Sequence, residues 1–116
     1  MKITSLNQTP SIPMQMEGAV GVLKQVPLGV ADGAPNFSFR VFSVAPGGNT
    51  PYHSHESEHL NYILQGEGVL VDEAGQEHQV KAGDFSMVTP HEKHQYRNVS
   101  ATEELKFICA VPLAYE

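Results

Sequence analysis

Five of the six histidines fall in two short windows, His53, His55 and His59 in the first and His91 and His94 in the second. On an extended strand His53 and His55 project from one face ~6.6 Å apart at the backbone, so two imidazoles can lean onto one ion. An HxH pair alone is weak evidence, because such pairs are commonly surface or hydrogen-bonded residues. The other histidines change its weight. His59 follows the loop Glu56-Ser57-Glu58 and opens a further strand, and His94 opens another just past the turn at Pro90. A barrel can bring all four to one point. Four protein ligands leave two positions open on an octahedral ion but close a tetrahedral zinc, so the first case is catalytic and the second structural.

The elements that must position these residues are strands. Pro or Gly interrupts nearly every window long enough for three helical turns; the 116 residues include ten Gly and eight Pro. Segments rich in β-branched and aromatic residues occupy 19–26, 37–44, 60–65, 68–71, 76–80, 84–88, 94–99 and 104–111. Gly-bearing turns at 32–36, 46–49, 66–68, 72–75 and 81–84 separate them. This spacing predicts an antiparallel all-β sandwich or barrel, one domain over residues 18–116. Residues 1–17, polar and carrying Pro10 and Pro13, read as an extended N-terminal arm without a core of its own.

Composition narrows the function. Seven Lys and Arg against thirteen Asp and Glu give a net charge of -6, which argues against nucleic-acid phosphate as a partner. Apolar residues make up 41%, with no run near the ~18 that span a bilayer, and the opening MKITSLNQTP lacks the apolar stretch of a signal peptide. The one cysteine, Cys109, cannot close an internal disulfide, which fits a reducing, cytoplasmic compartment. A small barrel leaves sheet edges uncovered and the arm is long enough to reach a second copy, so a homodimer is expected.

The histidine windows resemble the two motifs of the cupin superfamily. The first, G(X)5HXH(X)3,4E(X)6G, is matched by Gly47, His53, His55 and Gly66, with His59 in the slot of the usual Glu. The second, G(X)5PXG(X)2H(X)3N, is matched by Gly83, His94 and Asn98. Thr89 replaces its Pro and His91 its Gly, with Pro90 between them, which alters the turn and leaves the ligand position in place. The resemblance spans residues 47–98 and implies a double-stranded β-helix barrel of jelly-roll type with one metal in its mouth. By the same resemblance His53, His55, His59 and His94 are the ligands; Glu58, one position short of the motif slot, is the alternative to His59. Histidine in the Glu slot is similar to a small four-histidine subgroup, some of whose members bind manganese. One divalent transition metal per chain is expected, manganese or iron before zinc, nickel or copper.

Four neutral imidazoles leave the ion its full charge, which favours a small anionic or enolate substrate. Alternation from His59 turns Asn61 to the same face, and alternation from His94 turns Tyr96 and Asn98 likewise. Asn61 and Tyr96 are therefore candidate substrate contacts or supports of the ligands, with barrel packing as the other reading of Tyr96. Phe107, Cys109 and Val111 share a face of the last strand; Phe107 and Cys109 are candidate contacts, Cys109 being otherwise an inert buried thiol. Arg40, mid-strand among apolar residues, either pairs with an anionic substrate or reaches an acidic side chain at the surface. His91 belongs to a turn and His78 to a solvated hairpin. The leading expectation is a metal-dependent oxygenase, with a metal-dependent isomerase or lyase and a non-enzymatic binding module as alternatives.

Overall fold

The strand-forming segments pair into one antiparallel sheet that curls into a jelly-roll barrel, in a computed structural model that describes all 116 residues. The strands are β1 (Ile12–Pro13), β2 (Val20–Leu28), β3 (Phe37–Asn49), β4 (His59–Gln65), β5 (Glu67–Val71), β6 (Glu77–Lys81), β7 (Phe85–Val88), β8 (Gln95–Arg97) and β9 (Leu105–Pro112). They run in the order β6-β5-β8-β3-β9-β4-β7, with β2 on the free edge of β3 and β1 on β2. Helix is confined to three short 3-10 turns, at Leu6–Gln8, Val30–Asp32 and Leu113–Tyr115. No helix is long and apolar enough to cross a membrane.

β3 pairs with strands on both sides of the curled sheet. From Phe37 to Val44 it pairs with β9, and at Asn49 it pairs with Arg97 of β8. The segment 46–49, expected as a turn, is instead a bend within this strand. The backbone there packs too closely for a side chain: a Cβ on Gly48 would meet the Val20 carbonyl oxygen at 2.4 Å.

Alternation along the inner strands grades the interior from polar at the mouth to apolar at the base. β3 turns Ser38, Arg40, Phe42 and Val44 inward, and β4 turns His59, Asn61 and Ile63 inward. β9 answers with Leu105, Phe107, Cys109 and Val111, all buried. The register stacks these into layers, with Arg40 and Asn61 both opposite Cys109 and with Phe42 and Ile63 both opposite Phe107. Phe107 also stacks on Tyr96, ring centroids 4.2 Å apart. Fully excluded Val44, Ile63 and Leu105 close the base. Burial of aliphatic side chains there stabilises by ~1.5–3 kcal/mol each, which offsets the cost of placing polar groups in the upper layers.

The first residues lie against this same barrel. β1 pairs with β2 through Ile12 with Lys24 and Pro13 with Leu23. Gln25 Nε2 donates to the carbonyls of Leu6 (2.9 Å) and Thr9 (3.0 Å), and Met14 packs on the core.

A single residue, Gly66, carries the chain from β4, paired with β7 and β9, to β5, paired with β6 and β8. Its φ of 80° suits glycine, and a Cβ there would lie 2.3 Å from the Glu104 carbonyl oxygen. Gly66→Ala should cost about 2–5 kcal/mol, a left-handed penalty plus a backbone clash. Gly33 has a similar φ of 79° but no atom within 4 Å of its Cβ position; Gly33→Ala should cost only about 1–2 kcal/mol. Urea unfolding of both variants checks this, and equal losses would show that the close approach at Gly66 contributes nothing.

Candidate metal centre

His53 and His94 face each other across a two-residue bridge, His53 N donating to His94 O (3.2 Å) and His94 N to His53 O (3.0 Å). This bridge ties the loop after β3 to the approach to β8. His55 is fixed from the far side by His91, whose backbone N–H donates to the His55 carbonyl at 2.7 Å. His91 is the exposed turn residue with φ of 68°, where the motif has glycine. His59 is the first residue of β4 and points inward with the alternation of that strand.

The hydrogen bonds of the rings settle which nitrogens are free. His55 Nδ1 lies 2.6 Å from the Ser57 carbonyl oxygen and His94 Nδ1 lies 2.9 Å from that of Glu92. A carbonyl only accepts, so each Nδ1 carries the proton and each neutral ring presents a bare Nε2. These two Nε2 atoms stand 3.3 Å apart. With no proton between them, two lone pairs at that distance repel unless a cation lies between. Metal–nitrogen bonds of about 2.0–2.1 Å would put neighbouring ligand atoms about 2.9–3.4 Å apart, which matches. The ligating atoms of His53, His55 and His94 all lie within 4.8 Å of one another, and three histidines so placed can hold a metal ion.

Burial keeps these rings neutral. It pushes the His55 pKa down to about 4, against the raising effect of the Ser57 carbonyl. His53 and His94 are lowered for the same first reason. His59 falls furthest, to about 2, through burial and then the charge of Arg40.

His59 stands beside this trio rather than in it. Its ring stacks on His55 at 3.9 Å between centroids, but its Nε2 lies 3.2 Å from Arg40 Nη2. A guanidinium only donates, so the His59 lone pair is occupied by Arg40. Of the four expected ligands, His53, His55 and His94 thus converge, while His59 hydrogen-bonds an arginine.

Arg40 is 5% exposed and its Nε has no partner. It does not reach a surface carboxylate. Arg40, Tyr96 and Phe107 line a cavity of about 860 Å³ together with His53, His59 and His94. Asn61 and Cys109 lie behind that wall. Asn61 Nδ2 donates to the Tyr96 hydroxyl at 2.5 Å, and Ser86 Oγ is 2.7 Å from the same oxygen, so the phenol is held in place. Burial raises its pKa to about 12. Cys109 is fully excluded from solvent, receives Arg40 Nη2 at 3.2 Å, and has its thiol pKa raised by burial.

Sequence reasoning missed three residues of the cavity. Tyr115, in the last 3-10 turn, packs its ring 4.5 Å from that of His55 and 5.3 Å from that of His59, and its carbonyl accepts from Arg40 Nη1 at 3.3 Å. It follows the last strand, where no periodicity marks it. Met14 and Met16 line the cavity from the N-terminal segment; their alternate spacing was the only signal.

A model of the cupin domain matches residues 40–111. Among solved structures, the polyketide cyclase RemF from Streptomyces resistomycificus superposes with a TM-score of 0.92 at 27% identity, over 97% of this chain and 80% of that one. A predicted oxalate decarboxylase from Thermotoga maritima gives a TM-score of 0.75 at 29% identity, over 90% of this chain and 91% of the other. A cupin 2 domain-containing protein from Halorhodospira halophila gives 0.73 at 29% identity, over 86% and 68%. No curated protein matches the sequence.

Neutral buried histidines make the metal-free protein sensitive to acid. The unfolded chain, with histidine pKa near ~6.5, binds protons that folded His55, at about 4, does not. Stability is thus complete above the unfolded value and is lost as pH falls toward the folded one. Melting of chelator-treated protein should show a Tm that is level above about pH 7 and declines below about pH 6.5. A Tm unchanged down to about pH 5 would contradict neutral burial of these rings.

Proposed function

This chain belongs to the cupin family, and we propose that it is a metal-dependent enzyme of small oxygenated, anionic substrates. The observation that carries the reading is the pair of bare Nε2 atoms on His55 and His94, 3.3 Å apart with both Nδ1 protons already committed to carbonyls. One divalent transition ion per chain would be held by His53, His55 and His94, with His59 as a fourth ligand once freed from Arg40. Imidazole-only donors suit iron, zinc, nickel or copper better than manganese, which prefers carboxylate oxygen.

When bound, the ion would supply Lewis acidity to a substrate oxygen, and redox chemistry if it is iron or copper. The chain does the rest. The carbonyls of Ser57 and Glu92 hold two imidazoles in the productive tautomer. Arg40 adds a fixed positive charge beside the centre, suited to a carboxylate or to an enolate developing from a carbonyl. Phe42, Phe107 and Tyr96 contribute aromatic surface to the cavity wall, which lowers the local polarity and strengthens both effects.

These features support isomerisation, lysis or cyclisation of a carbonyl compound ahead of oxygenation. Similarity to a polyketide cyclase and to a predicted oxalate decarboxylase supports the same order. The oxygenase reading rests on the fit of imidazole donors to iron. The buried, reduced Cys109 fits a cytoplasmic setting.

We also propose a homodimer, formed through the outer face of the sheet. Cross-strand partners Leu28 and Phe39, Phe39 and Ala110, Ala110 and Leu60, and Leu60 and Met87 make a continuous apolar row from β2 to β7. Phe39, Leu60 and Met87 are 47%, 51% and 59% exposed. A stable interface takes ~800 Å² per partner, so a second copy centred on this row would also cover the residues that flank it.

Protein purified without an affinity tag and reconstituted should contain one equivalent of metal by elemental analysis, and His94→Ala should weaken binding beyond the ~10–100-fold typical of supporting residues. Content well below one equivalent overturns the metal reading. With the iron(II) protein, substrate turnover without dioxygen uptake supports the Lewis-acid order, uptake supports the oxygenase, and tight binding without turnover supports a binding module. Sedimentation should give twice the chain mass, and Leu60→Lys should give the monomer; a monomeric wild type at micromolar concentration removes the dimer.

A further inference from the structure

We infer that Arg40 and the bound metal compete for one atom, His59 Nε2, and that an anionic ligand seated on Arg40 releases that atom to the metal. The inference rests on the metal centre proposed above and adds a coupling between two ligands of one cavity.

Arg40 is a permanent cation at 5% exposure. A charge so placed is costly unless an anion joins it. The close contacts between basic and acidic side chains join Lys2 to Asp32, His78 to Asp72, Arg97 to Glu77 and Lys106 to Glu104, and none involves Arg40. Glu116 lines the same cavity, but its Oε2 accepts from Val30 N at 2.8 Å and Ser38 Oγ at 3.1 Å. That carboxylate is held elsewhere.

The partners Arg40 does have are weak and neutral. Nη1 reaches the Tyr115 carbonyl at 3.3 Å, and Nη2 is divided between His59 Nε2 and Cys109 Sγ, both at 3.2 Å. Nε is buried with no partner at all. The rings of Phe42 and Tyr115, 4.9 and 5.3 Å from the guanidinium carbon, hold it in place without neutralising it. A carboxylate or enolate in the cavity would give Nε and an Nη the two parallel acceptors that a guanidinium fits best. Nη2 then leaves the His59 lone pair. That lone pair belongs to a ring stacked on His55 at 3.9 Å between centroids and set edge-on to His94 at 5.7 Å. By linkage the anion tightens metal binding and the metal tightens anion binding by the same factor.

The test is calorimetric titration of zinc ion into chelator-treated protein with and without benzoate, a planar monocarboxylate that chelates metal poorly. Benzoate should tighten zinc binding by about fivefold or more. Arg40→Gln should bind zinc more tightly than wild type without benzoate and should lose the benzoate effect. Adding His59→Gln should abolish that gain, because a gain from lost charge repulsion alone would persist. The coupling is overturned by zinc affinity indifferent to benzoate, by an Arg40→Gln variant that folds and binds zinc more weakly, or by a gain that survives His59→Gln. If Arg40→Gln fails to fold, the wild-type titration decides alone. Wild-type protein that takes up no zinc in either condition overturns the metal centre itself, whereas zinc binding indifferent to benzoate overturns only the coupling.

Discussion

The chemistry of the barrel mouth depends on two backbone carbonyls, those of Ser57 and Glu92, each accepting the Nδ1 proton of a buried imidazole. A neutral imidazole has one proton and two nitrogens, so committing the proton outward turns the other nitrogen inward as a bare donor. Both carbonyls belong to loops, and both loops are held by strands. The bridge between His53 and His94 and the backbone contact from His91 to His55 keep those loops in register with the barrel. If either loop slid by one residue, its carbonyl would miss the ring and the nitrogen pair would no longer converge.

The graded interior explains how such a site survives in a small protein. Base layers of valine, leucine, isoleucine and phenylalanine supply the burial that stabilises the fold, while the layer of Arg40, Asn61 and Cys109 and the histidines above it draw on that stability. Asn61 shows the cost directly: its Oδ1 is buried with no partner while its Nδ2 holds the Tyr96 hydroxyl. A group kept in place by one strong hydrogen bond and left short of another is a local conflict of the kind expected beside a working site.

Much of this was legible in the sequence, because period-two alternation and Gly-bearing turns are local signals. The segments read as 37–44, 60–65 and 104–111 stand as β3, β4 and β9, and the inward set of Phe107, Cys109 and Val111 follows from parity alone. The bend at Pro46–Asn49 was read as a turn because Pro and Gly look the same to local reasoning in either role; what keeps the strand going is a distant partner, Arg97. His59 had the right position and face, yet parity says nothing of which neighbour takes its lone pair. Arg40 does so from a different strand. Tyr115 carries no pattern at all, since a 3-10 turn after the last strand is placed only by what it packs against.

Part of the cavity lining comes from the N-terminal segment, which contributes Met14 and Met16 and is attached to the sheet through the two-residue strand β1. The candidate metal ligands and much of the cavity lining are thereby separated along the polypeptide. The histidines, Arg40 and their supports are locked into core register, where substitutions disturb folding. The N-terminal residues that line the cavity with them are mostly exposed. Selection can thus retune which molecule fits while leaving both the core and its nitrogen cluster untouched.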